Sequence, residues 1–199
     1  LLATWVAQTV EKLKPHSNSV LAVVLLIVLV WAAVTLWRHY SSSGSQLAWE
    51  AFDQVLDSSG PQMAYNPDTF EKLVDEFPRS DMAPWASATA GDLYLQQGCE
   101  QILRDKNNAS NNLQKALDSY DTVLKQTQVD PLRERAAFGV ARAHEALAGT
   151  HRAENELQKA IEAYETVLKS WPKGAYVAMA TRRLEELRLT DTKRCYDKL

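Results

Sequence analysis

The stretch "NLQKALDSYDTVLK" (residues 112–125) returns almost unchanged as "ELQKAIEAYETVLK" (156–169). Ala116, Tyr120 and Val123 recur as Ala160, Tyr164 and Val167 at one constant offset. A chain that builds the same amphipathic helix twice is tightly constrained. Neither copy can bury its apolar stripe alone, so successive helix pairs must stack and share one core. Ala116 and Ala160 then read as points of close helix approach, and Tyr120 and Tyr164 as fillers of the gaps between helices. "FEKLVDEFP" (70–78) aligns with "YETVLKSWP" (164–172), aromatic on aromatic and proline on proline.

Apolar residues keep helical spacing through the rest of the chain. The spacing predicts helices near 45–57, 67–77, 82–98, 112–126, 131–148, 152–170 and 175–188. Polar, Gly- and Pro-bearing stretches separate them at 58–62, 77–81, 106–112, 127–131, 149–152 and 171–174. An extra helical turn is expected around Glu100–Arg104. The fold class expected is all-α: one N-terminal transmembrane helix, then a helical-repeat solenoid.

The membrane helix is expected from "VLAVVLLIVLVWAAVTLW" (20–37), which carries no charge, Gly or Pro. Eighteen helical residues rise about 27 Å, close to the hydrocarbon thickness of a bilayer. Its dozen Leu, Ile and Val residues favour insertion by roughly 4–7 kcal/mol. The run is longer than a signal-peptide core and ends in Trp-Arg-His-Tyr rather than a small-residue cleavage site, so an uncleaved anchor is expected. Trp31, Trp37 and Tyr40 are candidate interfacial anchors. The preceding "LLATWVAQTVEKLKP" puts Leu2, Val6, Thr9, Val10 and Leu13 on one helical face. It reads either as an amphipathic helix lying on the membrane or as a plain flanking helix. Lys12 and Lys14 before the span, against Arg38 after it, lean toward a cytoplasmic N-terminus. Leu rather than Met at position 1 leads us to expect translated sequence upstream. The domains expected are thus a short amphipathic segment (1–16), the membrane helix (17–40), a polar hinge (41–45), the repeat domain (46–190) and a tail (191–199).

The formal net charge is −3, and the pI near 5.8 argues against a nucleic-acid partner. Cys99 and Cys195 match no zinc spacing and are too few for a disulfide framework. The histidines at 16, 39, 144 and 151 do not combine with other ligands at metal-binding spacing, and no phosphate loop, nucleophile elbow or HExxH occurs. Neither a cofactor, a metal nor a catalytic residue is expected. His144 reads as a hydrogen-bonded core histidine, and Glu185 with Glu186 as a solvated helix face.

Together, Gly91, Tyr94 and Gly98, then Ala116, Tyr120 and Val123, then Ala141 and Ala148, then Ala160, Tyr164, Val167 and Pro172 resemble tetratricopeptide repeats. His144 departs from that pattern where Tyr94 keeps it, and the links within the helix pairs are long. The resemblance implies a concave groove that binds a peptide or protein. By position it assigns to that groove Trp85, Asp92, Gln96, Arg135, Phe138, Arg142 and Glu145. Ala88 and Asp92 stand where the chaperone-adaptor members carry Lys and Asn, so their carboxylate clamp is absent. The order of a short N-terminal segment, a single membrane helix ending in Trp-Arg-x-Tyr, "SQLAWEAFDQVL" and a small repeat domain resembles the YfgM-like family of ancillary Sec translocon subunits. That resemblance implies a bacterial inner-membrane protein, single-pass, with its repeat domain in the periplasm. It further implies a non-catalytic scaffold whose partners are the translocon and chaperones. An accessory subunit of another membrane complex, for instance a respiratory one, and a cytosol-facing receptor are the alternatives.

Overall fold

The computed structural model describes the backbone of residues 17–58, 66–150 and 155–189, with side chains throughout except at 17–24, 33–44 and 58. The segment 1–16 and the tail 191–199, with Cys195, lie outside the described residues. The chain divides into two compact units, Leu1–Gln46 and Leu47–Leu199. Among the described residues every regular element is a helix: α1 (Ser17–Ser58), α2 (Pro67–Glu76), α3 (Ala83–Gln101), α4 (Lys106–Gln126), α5 (Asp130–Leu147), α6 (Glu156–Ser170) and α7 (Val177–Arg188).

In the first unit, α1 carries an unbroken row of exposed large apolar residues, Leu25 to Trp31, each between 53% and 70% accessible. Among the described residues no helix is long and apolar enough to cross a membrane. Of the run 20–37 only the side chains at 25–32 are described. The candidate anchors Trp37 and Tyr40 have no described side chain. The stretch 41–45, expected as a polar hinge, is helical instead, because α1 continues through it. Four serines and one glycine weaken a helix by a few tenths to about 1 kcal/mol each. Extending a helix already formed avoids a second costly nucleation, and "QLAWEAFDQVL" beyond them is strongly helix-forming.

In the second unit each helix packs on the next in sequence, from α2 through α7, and α3 also packs on α5. Local signals set the boundaries. Asn66 caps α2, its side chain accepting from Asp68 N at 3.0 Å, and Pro67 fits the first turn. Asp105 caps α4 by accepting from the backbone N of Asn107 and Asn108, both at 3.1 Å. That cap corrects one expectation: "KNNASNN" (106–112) is not a loop but the opening of α4. Its four asparagines and one serine are poor helix formers, yet Ala109 and Ser110 are buried. The turn expected around Glu100–Arg104 is present, as the end of α3 and a turn at 102–104.

Two apolar clusters fill the unit. The first joins Ala48, Phe52, Phe70, Tyr94, Leu113, Ala116, Tyr120 and Val123. The second joins Ala141, Ala160, Tyr164, Val167, Leu184 and Leu187. Leu124 packs against both. Ala116 and Ala160 are fully buried, as expected of contact points, and so is Ala141. Gly91 on α3 and Gly139 on α5 both face the ring of Tyr120, and a Cβ at either would collide with it. The Tyr120 ring is therefore clamped between two glycines, which lets α3, α4 and α5 approach closely.

Candidate functional site

Three tyrosines tie the helices together by one repeated device. Tyr94 on α3 donates to Asp68 Oδ1 at 2.6 Å, with Lys115 of α4 beside that carboxylate at 3.6 Å. Tyr120 on α4 donates to Asp92 Oδ1 at 2.6 Å, and Arg135 of α5 donates Nε to Asp92 Oδ2 at 2.9 Å. Tyr164 on α6 donates to Glu145 Oε2 at 2.9 Å, and Arg183 of α7 grips the same carboxylate through Nε and Nη2. Each unit is a phenol, a carboxylate and a cation drawn from three different helices. Burial, reinforced by the adjoining carboxylate, pushes the Tyr94, Tyr120 and Tyr164 phenols far above their usual range, so they remain protonated donors. The hydrogen bond from Tyr94 in turn holds Asp68 below the usual carboxylate range.

Two adjoining clefts open beside these units. The first, about 650 Å³, is lined by Cys99, Ile102, Phe138, Arg142, Glu145, Ala146, Gly149, Tyr164, Met179 and Arg183. The second, about 430 Å³, is lined by Asp92, Leu95, Gln96, Cys99, Glu100, Arg135, Phe138, Gly139, Arg142 and Tyr176. They share Cys99, Phe138 and Arg142. Of the residues assigned to a groove from the sequence, Asp92, Gln96, Arg135, Phe138, Arg142 and Glu145 thus come together here. Trp85 lies apart, packed on Trp49 with ring centroids 6.4 Å apart.

Their roles differ. Asp92 and Arg135 neutralise each other, and Glu145 is committed to Tyr164 and Arg183. Gln96 donates to Glu100 Oε1 at 3.0 Å. Phe138 is held by a stacked Tyr176 at 4.8 Å and the edge of Tyr164 at 5.8 Å. Arg142 is exposed and, among the described residues, makes no hydrogen bond or ion pair. The Cys99 thiol is exposed at the clefts, and desolvation by the protein around it pushes it up from its usual range. Sequence reasoning did not find Tyr176, Met179 and Arg183. They lie beyond the second copy of the repeat, and no local spacing links them to α3 or α5. Met179, exposed on an amphipathic helix, was the one available signal. Glu134 was missed too. Its buried carboxylate accepts from Tyr176 N at 2.9 Å and lies against Gly174, where a Cβ would collide with it.

His144 Nδ1 lies 2.6 Å from Glu156 Oε2, and Lys159 Nζ lies 2.6 Å from Oε1, joining α5 to the start of α6. Burial pushes Glu156 up, but the hydrogen bonds from Lys159 and His144 outweigh it and hold its carboxyl below the usual glutamate value of 4.5. A carboxyl depressed in the folded state contributes stability above its unfolded pKa, and that stability is lost as pH falls through the lower folded value. From near-neutral pH to below about 4.5, the melting temperature of the wild type should fall further than that of Glu156→Gln. Parallel acid curves for the two would refute this. Among the described residues no cluster of His, Cys, Asp and Glu is arranged to hold a metal ion.

Compared with known proteins, the chain matches no family model, no curated protein and no solved structure.

Proposed function

We propose that this chain is a non-catalytic, membrane-tethered scaffold that binds proteins in the two-part cleft of a tetratricopeptide-like helical stack. The tether rests on one observation: seven consecutive large apolar residues, Leu25–Trp31, all more than half exposed on a continuous helix. At 100° per residue they cover every face. A soluble helix shows a polar side, and this stretch has none, so a surrounding of lipid tails fits it best. The serial packing of α2 to α7, the additional α3–α5 contact and the glycine and alanine contact points support the repeat reading. The chemistry around the cleft favours binding over catalysis. Asp92 and Glu145 are each engaged by a tyrosine and an arginine, and the tyrosines hold their protons. At its finest the reading is a YfgM-like translocon subunit at the bacterial inner membrane with a periplasmic cleft.

Alkaline carbonate extraction of membranes tests the tether. The intact chain is expected in the pellet, and its release into the supernatant would overturn the anchor. Purification in mild detergent after in-cell crosslinking tests the partner class. Translocon subunits and periplasmic chaperones are expected. Respiratory subunits or cytosolic clients in their place would sink the translocon reading and leave the scaffold.

A further inference from the structure

Among the described residues, the first cleft carries one charged side chain without an ion pair, Arg142. In the first cleft two arginines face one carboxylate, Glu145, and that carboxylate is claimed by Arg183 and Tyr164. Arg183 also donates to Glu186 Oε2 at 2.5 Å. Arg142 is left exposed at the junction of the two clefts, with no hydrogen bond or ion pair among the described residues. Beside it the first cleft is apolar, with Ile102, Phe138, Ala146 and Met179 in its wall, and Met179 is half exposed. The acidic Glu100 lines only the second cleft and is engaged by Gln96.

We propose that the first cleft recognises a peptide segment that pairs a carboxylate with a bulky apolar side chain, a choice that rests on the protein-binding reading above. The apolar side chain covers Ile102, Met179 and the Phe138 ring. The Asp or Glu beside it meets the Arg142 guanidinium, whose planar fork of donors matches a carboxylate in two parallel hydrogen bonds. A basic segment is disfavoured, because binding it would bring a second cation against Arg142, and the one carboxylate in the described lining, Glu145, is already engaged. The neighbouring Asp92–Arg135 and Glu145–Arg183 pairs are satisfied within the fold, so they hold the walls in shape rather than bind.

The test is selection of random octapeptides by the full chain in detergent micelles, with variants as counter-selections. Wild type is expected to enrich peptides that combine Asp or Glu with Leu, Ile, Met or Phe. Arg142→Gln should lose the acidic enrichment and keep the apolar one. Arg142→Glu should turn the preference toward Lys and Arg. For one enriched peptide, changing its Glu to Gln should weaken binding several-fold to tenfold on wild type and leave it unchanged on Arg142→Gln. Acidic enrichment that survives Arg142→Gln overturns the proposal, as does apolar enrichment with no acidic component. The second result would leave the groove reading intact. Peptides selected equally by wild type and Met179→Asp would sink both.

Discussion

Tyr120→Ala is expected to lower the stability of the helical unit by about 3–5 kcal/mol, the range for removing a large buried aromatic. For a unit of this size that is a fall of roughly 10–15 °C in melting temperature. The ring is fully buried between Gly91 and Gly139, so its loss opens a void where three helices meet. Neither glycine has a side chain with which to fill it. The hydroxyl adds a separate contribution. Tyr120→Phe keeps the packing and removes only the donor to Asp92, a hydrogen bond to a charged group that contributes about 1.5–3 kcal/mol. Because Asp92 keeps Arg135, the Phe variant should fall at the low end. Thermal unfolding followed by circular dichroism separates the two. If Tyr120→Phe destabilises as much as Tyr120→Ala, the hydrogen bond rather than the clamp dominates, and the packing account fails.

That clamp marks the boundary of what the sequence discloses. Helix class, the burial of Ala116, Tyr120, Ala160 and Tyr164, and most of the order of elements follow from the 3.6-residue period and from the repetition of one helix. Six of the assigned positions line the two adjoining clefts, as the family resemblance, which places first-helix residues on one side, led us to expect of their placement alone. The pairing among them was not legible. Asp92 and Arg135 are 43 residues apart and Glu145 and Arg183 are 38 apart, and no local spacing joins residues on non-adjacent helices. The start of α4 was misread for the opposite reason. Asn and Ser compete locally with the backbone and read as loop, while the Asp105 cap and the burial of Ala109 are tertiary facts. The helicity of residues 41–45 was hidden in the same way, since Ser and Gly lower local propensity without showing what lies on either side. Gly139 offered a faint cue. A glycine inside a helix costs about 1 kcal/mol against alanine, and its presence there marks a close approach.

Gly139→Val turns that cue into a test. Propensity alone would make the substitution favourable by a few tenths of a kcal/mol. The structure points to the opposite sign, because the atoms nearest an added Cβ are all in the Tyr120 ring. That ring cannot rotate away. Gly91 also lies against it, with Cε1 at 2.8 Å from where a Cβ would be, and its hydroxyl is fixed on Asp92. Overpacking of a rigid site costs about 1–3 kcal/mol, and we expect the upper end. The same reasoning predicts that the two substitutions are not additive. In a Tyr120→Ala background the valine at 139 enters the space the ring has left. The double variant should then be more stable than the sum of the single losses by about 1–3 kcal/mol, the coupling of residues that share one cavity. Strict additivity in the full double-mutant cycle would mean that α5 shifts to accommodate valine without touching Tyr120, and the three-helix clamp would not be what holds α3, α4 and α5 in register.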